Sequence, residues 1–246
     1  MEQKDIYLSV IVPAYNEAER IEKTLLEISD YLSREPYTSE ILVVSGASTD
    51  ETGARVSQLS QRIKNLRLLD LKKTGKGYVV RKGMLAAYGR IRLFTDADNS
   101  TDISHFEKMR PLFDKGYDVV ICSRNEKDAP GAQQAVSQKG YKRLLGTAGN
   151  LFIQFLAVPG IWDTQCGFKA FRAKAAEKIY SQTKINHWGF DIEVLALARA
   201  MKMRVGIVPA YWVDDPRSHV KLSGYIRTLW ETVKVWWWLR RGKYQL

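Results

Sequence analysis

Short β-branched runs and longer amphipathic stretches take turns along the first half of the chain. Residues 7–12 are a strand-like run that stops at Pro13, and residues 17–32 then set Ile21, Leu25 and Ile28 at helical spacing. Residues 40–44 read as a second strand, followed by Ser48 and Glu51 in the spacing of a capping box for the next helix. A third strand over 66–71, a helix over 76–87 and a strand over 91–95 continue the order. Ser104 and Glu107 offer a second capping box, for a helix through Phe113, and residues 117–121 give a fifth strand. Strand and helix in this order predict βαβ units: an α/β fold with a mostly parallel sheet covered by helices on both faces. Ligands of such sheets bind beyond the carboxyl ends of the strands, so the polar residues there are the candidates for chemistry.

The pattern changes after Ser123. Residues 125–138 are polar, carry Pro130 and Gly131, and read as a long loop. Helices are predicted over 141–156, 173–182, 190–201 and 224–240, with strands over 168–171 and 204–208. Length and composition fit one globular domain: 246 residues, 45% apolar and 26% charged. The division expected is a domain over 1–222 and a helical tail over 223–246. Cys122 and Cys166 fit no disulfide framework or zinc spacing, and His105, His187 and His219 are too scattered for a metal cluster. No secretion signal opens the sequence. The longest apolar run, 151–162, is interrupted by Gln154, Pro159 and Gly160 and falls short of the roughly 20 residues that span a bilayer. These features predict a protein of the cytoplasm or of the cytoplasmic face of a membrane.

Charge is uneven. The net formal charge is +11, and residues 217–246 hold seven basic residues against Glu231 alone, together with four of the seven tryptophans. Tryptophan and cations on one helix suit an interface with anionic lipid. Docking on the protein's own core and contact with nucleic acid are the other readings of the tail taken by itself.

At the strand ends the sequence places Pro13-Ala14-Tyr15-Asn16-Glu17 after the first strand and Asp96-Ala97-Asp98 after the fourth. Two carboxylates this close repel each other unless a cation lies between them, and at a strand end they suit a divalent ion bridging a substrate diphosphate. The plainer reading has Asp98 turning the chain and Asp96 solvated. Lys76, between two glycines at a helix start, can hold a phosphate or a neighbouring carboxylate, or can be a surface lysine in a Gly-rich turn. Arg124 and Arg143 are further phosphate candidates, each open to being a solvated charge.

Seven motifs occur in order: VIVPAYNE at 10–17, GKG at 75–77, VRKGM at 80–84, TDADNST at 95–101, SR at 123–124, DTQCGFKAF at 163–171 and FDIE at 190–193. Together they resemble the family-2 glycosyltransferases of the GT-A (Rossmann-like) fold, and within these the polyprenyl-phosphate sugar synthases, chiefly the dolichyl-phosphate glucosyltransferase group. The 163–171 string is the most specific. The resemblance implies that Pro13, Tyr15, Glu17, Lys76, Asp96 and Ala97 bind a nucleotide-sugar donor. It also implies that Asp96 and Asp98 bind Mg²⁺ or Mn²⁺ on its diphosphate. Arg124 would hold phosphate near the reacting centre, Arg143 would face the lipid phosphate, and Arg217 and Lys221 would close over the phosphates. Asp191 is the expected site-facing carboxylate, with Glu193 orienting basic groups. Asp98, Arg124, Arg143 and Asp191 form the expected catalytic group.

The implied activity is inverting transfer of a hexose, UDP-glucose favoured, to a polyprenyl (dolichyl-type) monophosphate at a membrane surface. No nucleic acid is implied, and no protein partner is identified. The polyprenyl acceptor also favours the interfacial reading of the tail. One departure stands out: where the family carries two aspartates and a glycine after the second strand, this chain has Ser45-Gly46-Ala47. Ser45 Oγ or a backbone carbonyl could replace the missing carboxylate as acceptor from the base, and a neutral acceptor makes a bond weaker by about 1 kcal/mol. The alternatives are a GDP-mannose donor, a soluble acceptor, or a non-catalytic membrane adaptor. A nucleotidyltransferase would need a Gly-rich basic loop where PAYNE stands.

Overall fold

The structure, a computed structural model, describes residues 5–134, 140–212 and 222–246, without the side chains of 134, 140–145, 147, 222 and 223. Alternation along β1 (Leu8–Ala14) decides the layering. Leu8, Val10 and Val12 face one layer and Ile11 the other. On the first side pack α1 (Ile21–Ser33), α2 (Thr52–Ser60) and α4 (Phe106–Asp114), through Leu25, Val56 and Phe106 among others. On the second lie α3 (Lys76–Ala86), α6 (Ala173–Tyr180) and α7 (Phe190–Ala200), with Ile153 of α5 (Gly140–Leu156) and Val235 of α8 (Leu222–Arg240). The expected α/β sandwich with helices on both faces is present.

Between the layers runs a seven-stranded sheet, in the order β3-β2-β1-β4-β7-β5-β8. It comprises β1, β2 (Ser39–Gly46), β3 (Leu66–Leu71), β4 (Ile91–Thr95), β5 (Val119–Ser123), β7 (Phe168–Arg172) and β8 (Val205–Pro209). Every pairing is parallel except those of β7, which runs antiparallel between β4 and β5 with Thr95 opposite Phe168. The start of β7 therefore lies beside the carboxyl ends of β4 and β5. A small parallel pair, β6 (Gln133–Gln134) with β9 (Tyr211–Trp212), was not legible in the sequence, since two residues carry no periodicity. It joins the polar loop after β5 to the segment after β8.

Both expected capping boxes are corrected. Asp50 Oδ1 accepts from Thr52 N at 3.0 Å at the start of α2, while Ser48 Oγ accepts from Asn16 N at 3.2 Å. Asp102 Oδ1 accepts from Ser104 N at 2.9 Å, capping a short 3₁₀ turn (Ile103–His105) ahead of α4. In each case an aspartate two residues before the amide outcompetes the serine.

One face of α8 is docked. Thr228, Glu231, Thr232 and Val235 are buried, and Glu231 Oε2 accepts from Gly189 N at 2.8 Å, at the amino end of α7. Beyond α8, Tyr244 donates its hydroxyl to Glu193 at 2.7 Å. No described helix is long and apolar enough to cross a membrane. Glu231→Ala leaves a buried amide without its acceptor, and is expected to cost about 1–3 kcal/mol in urea unfolding.

Candidate active site

A cleft of about 930 Å³ opens at the carboxyl ends of β1 and β4, where strand order reverses. Its walls bring together Pro13, Tyr15, Glu17, Lys76, Asp96, Ala97, Asp98, Arg124 and Asp191, which the sequence scatters over 179 positions. The β1 end is held rigid against the loop after β2. Asn16, in the left-handed region at φ 55°, accepts from Thr49 N at 2.8 Å, and Glu17 N donates to Thr52 Oγ1 at 2.8 Å. Asp50 Oδ2 accepts from Ala18 N at 3.1 Å. Glu17 is paired with Arg20 Nη2 at 2.9 Å, and Tyr15 stands half exposed at the rim.

Ser45 is not brought to this wall. It is buried, and its Oγ bonds with Ser48 Oγ at 3.2 Å. Alternation along β2 turns Ser45 toward the layer that Val43 faces and away from that of Val44; after it, Gly46 lies so close to α3 that a Cβ there would meet Val79 Cγ2 at 2.6 Å, and Ala47 adopts φ 56°. The substitute hydrogen bond to a base from Ser45 Oγ is therefore not one this geometry offers.

On the floor, Lys76 Nζ reaches both oxygens of Asp96, at 2.8 and 3.0 Å, and lies 4.8 Å from the centre of the Trp188 ring. Burial alone would lower the Lys76 pKa, but Asp96, with Asp191 and Asp98, holds it above the ordinary value. The glycines flanking Lys76 are what allow this. A Cβ at Gly75 would stand 2.5 Å from Asn186 O, and one at Gly77 2.6 Å from Ile185 O, so α3 can approach the 185–188 loop only with glycine at both places. Across β4 and β7, Gly167 faces the Asp96 carboxylate, so a Cβ there would displace that side chain from the place where Lys76 holds it.

Below Lys76 lies a second pair. Lys169, fully buried on β7, donates to Asp191 Oδ1 at 2.5 Å and to Cys166 O at 2.6 Å. Burial pushes the Asp191 carboxyl up, against the pull of Lys169 and Lys76. A third pair flanks the cleft. Arg124 grips Asp163 through Nε at 2.7 Å and Nη2 at 2.8 Å, its backbone N–H adds a third bond at 2.8 Å, and its guanidinium stacks 5.1 Å from Trp212. Asp128 accepts from Trp162 N and Asp163 N, both at 2.8 Å, and so fixes the segment that carries Asp163.

Asp98 differs. Its described bond is from Ser100 N at 3.0 Å, and no basic side chain is paired with it among the described residues. No group of three or more His, Cys, Asp or Glu side chains is placed to hold a metal among those residues. Two hard carboxylates at a strand end still fit a divalent ion whose other ligands are substrate phosphate and water, the usual arrangement for Mg²⁺.

Other assignments fall elsewhere. Glu193 makes no ion pair with a basic side chain among the described residues; its carboxylate accepts from the backbone amides of Lys184 at 2.8 Å and Ile185 at 2.9 Å, steadying the loop over Lys76. Arg143 belongs to α5, but its side chain lies outside the described residues, as do Arg217 and Lys221. Sequence reasoning missed His187, Trp188 and Trp212 as lining residues, and Asp163 as the partner of Arg124. Only the motif containing Asp163 drew attention to it.

Residues 9–180 match the family described as Glycosyl transferase family 2. A dolichyl-phosphate beta-glucosyltransferase of Trichomonas vaginalis is 33% identical, over 97% of this chain and 73% of its own length. The human dolichyl-phosphate beta-glucosyltransferase is 31% identical, over 96% and 72%. Among solved structures, glucosyl-3-phosphoglycerate synthase from Mycobacterium tuberculosis, in complex with Mn²⁺, UDP and phosphoglyceric acid, superposes with a TM-score of 0.67. It covers 94% of this chain and 77% of its own at 20% identity, a likeness of fold.

The Arg124–Asp163 pair makes a pH test. Burial alone would raise the Asp163 pKa, but Arg124 brings it below the ordinary value. Its contribution to stability is therefore present above about pH 4 and lost as pH falls through the depressed value. Arg124→Met strands the buried carboxylate, at an expected cost of about 3–5 kcal/mol at neutral pH. In that variant burial raises the Asp163 pKa, so denaturant unfolding should show stability recovering, not falling, as pH drops toward 4.

Proposed function

The chain belongs to glycosyl transferase family 2, and we propose that it transfers glucose from UDP-glucose to the phosphate of a dolichyl-type polyprenyl lipid, inverting the anomeric centre. The observation that carries this reading is a cleft whose floor combines the Asp96–Asp98 carboxylates with the Lys76 and Arg124 cations, in a chain about one-third identical to dolichyl-phosphate beta-glucosyltransferases. Carboxylates without cations would serve a metal and repel a diphosphate; cations without carboxylates would do the reverse.

In the reaction a lipid-phosphate oxygen forms a bond to the anomeric carbon as the bond from that carbon to the diphosphate oxygen breaks, and the electron pair leaves with UDP. A phosphate with a second pKa near ~6 is largely dianionic at neutral pH, so no base need remove a proton. The work of the protein is positioning and charge neutralisation. Arg124, fixed by Asp163 and Trp212, presents a guanidinium held in one orientation toward phosphate. Lys76 supplies positive charge beside the departing diphosphate, and Asp191, held by Lys169, fixes the electrostatics beneath it. Asp98 and Asp96 would hold Mg²⁺ or Mn²⁺, which when bound neutralises charge on the leaving group. Tyr15 and the backbone from Pro13 to Glu17 form the wall that receives the nucleotide.

The acceptor is a membrane lipid, so the protein works at a membrane surface. Its cytoplasmic face is the reading supported by Cys122 and Cys166, which are both buried and free.

The test is transfer of labelled glucose from UDP-glucose into dolichyl phosphate, with GDP-mannose alongside. Wild type should label the lipid from UDP-glucose in Mg²⁺ or Mn²⁺ and lose activity on chelation. Asp98→Ala should lower transfer at least about a hundredfold. Label from GDP-mannose alone would overturn the donor, and no lipid label from either would overturn the reaction.

A further inference from the structure

His105 is a buried histidine outside the cleft, and both of its ring nitrogens are engaged. Nδ1 lies 2.9 Å from the carbonyl oxygen of Asp102, and Nε2 lies 3.0 Å from the backbone N of Tyr211. A carbonyl can only accept a hydrogen bond, and an amide N–H can only donate one. The two partners therefore fix the tautomer: Nδ1 carries the proton, and the Nε2 lone pair accepts from Tyr211. The arrangement exists only while the ring is neutral. An imidazolium carries a proton on each nitrogen and would set one N–H against another.

What that bond holds is β9. Ala210 N donates to Ser123 O at 2.8 Å and Gln133 N donates to Ala210 O at 2.8 Å, so both of these bonds fix Ala210. The bond to His105 fixes the next residue, Tyr211, one step from Trp212. Trp212 lines the cleft, and its ring centre lies 5.1 Å from the Arg124 guanidinium. The 3₁₀ turn that carries His105 is itself anchored, by the Asp102 cap on Ser104 N and by the ring's edge contact with Phe168 at 6.2 Å. We propose that His105 is a positioning residue of the cleft: its neutral ring anchors β9 so that Trp212 stays against Arg124, and a proton at Nε2 releases that anchor. The proposal rests on the reading that Arg124 grips phosphate during sugar transfer.

Burial, the largest influence on the ring, lowers the His105 pKa below its ordinary value. Among the described residues the charged groups acting on it are Asp102, which opposes the shift, and Lys108 of α4, which adds to it. From β7 it meets the Phe168 ring, and from β9 the Tyr211 amide. The anchor is therefore complete above about pH 6.5 and is lost as pH falls through the depressed value. The two Ala210 bonds join backbone to backbone and do not titrate, and Asp163 titrates below the ordinary carboxylate range. Of the groups that hold Trp212 and Arg124 together, His105 is thus the one that responds to mild acid. In the sequence it stood only as one of three scattered histidines, because its partners lie on a strand about a hundred residues away.

Two variants separate the anchor from mere packing. His105→Gln offers an amide oxygen to Tyr211 N–H and does not titrate, whereas His105→Leu fills the space without an acceptor. The full chain is labelled on tryptophan nitrogen, and the Trp212 indole N–H resonance is assigned by its loss in Trp212→Phe. In wild type this resonance should move as pH falls from about 8 to about 5, in step with the His105 ring protons. In His105→Gln it should stay in place, and in His105→Leu it should already be displaced at neutral pH. Neither donor nor lipid is present in this measurement. Glucose transfer from UDP-glucose should follow the same order: His105→Gln near wild type at neutral pH, and His105→Leu with kcat lowered about tenfold. Protonation of the acceptor phosphate slows every enzyme alike, so the ratio of His105→Gln to wild type should rise toward acid pH. A Trp212 resonance that ignores the titration of His105, or moves equally in His105→Gln, would overturn the proposal. So would undiminished transfer by His105→Leu. Absence of transfer by wild type would remove the proposed reaction, and the Trp212 resonance would then decide the anchor alone.

Discussion

Because β7 runs antiparallel between two strands that are parallel to the rest, the residues leading into it meet the residues leaving its neighbours. Asp96 follows β4, Arg124 follows β5, and the 163–167 segment precedes β7, so one strand direction assembles three motifs spread along the chain from Asp96 to Gly167. The register, Thr95 opposite Phe168, sets Gly167 against the Asp96 carboxylate, which a side chain at that position would push aside. Had β7 run parallel, the same string would have lain at the amino ends of β4 and β5, and Arg124 would have lost Asp163.

The site is organised as ion pairs graded by depth. Lys169–Asp191 is dry, Lys76–Asp96 borders the cleft, and Arg124–Asp163 flanks it. Buried pairs of this kind are weak contributors to stability, since apolar residues of equal volume often do as well. What they provide is fixed charge in a low-dielectric cleft, which needs no reorganisation when a diphosphate arrives or departs. Asp98, by contrast, has no basic side chain paired with it among the described residues.

The same packing logic joins site and surface. Glu231 and Val235 dock α8 against the core, and that docking both closes one wall of the cleft and turns Ile226, Trp230 and Trp237 outward beside α5. A helix that is half core and half exposed apolar surface couples the position of the cleft to whatever that surface touches.

Much of this was written in local sequence. Periodicities of two and 3.6 gave the strands and helices because burial on a sheet face or a helix stripe acts on neighbours in the chain. The carboxylates and cations of the site stood visibly at strand ends, and the order of seven motifs identified the family. The sequence was silent where the answer depended on residues distant along the chain. It did not show that Lys76 would claim Asp96, that Asp163 would claim Arg124, or that aspartates would displace both serine caps. Nor could it show that Ser45 would be buried against Ser48, or that α5 would leave Leu151, Phe152 and Phe155 exposed. Pattern fixes which side chains share a face; only the packed sheet, with its one reversed strand, decides what each face meets.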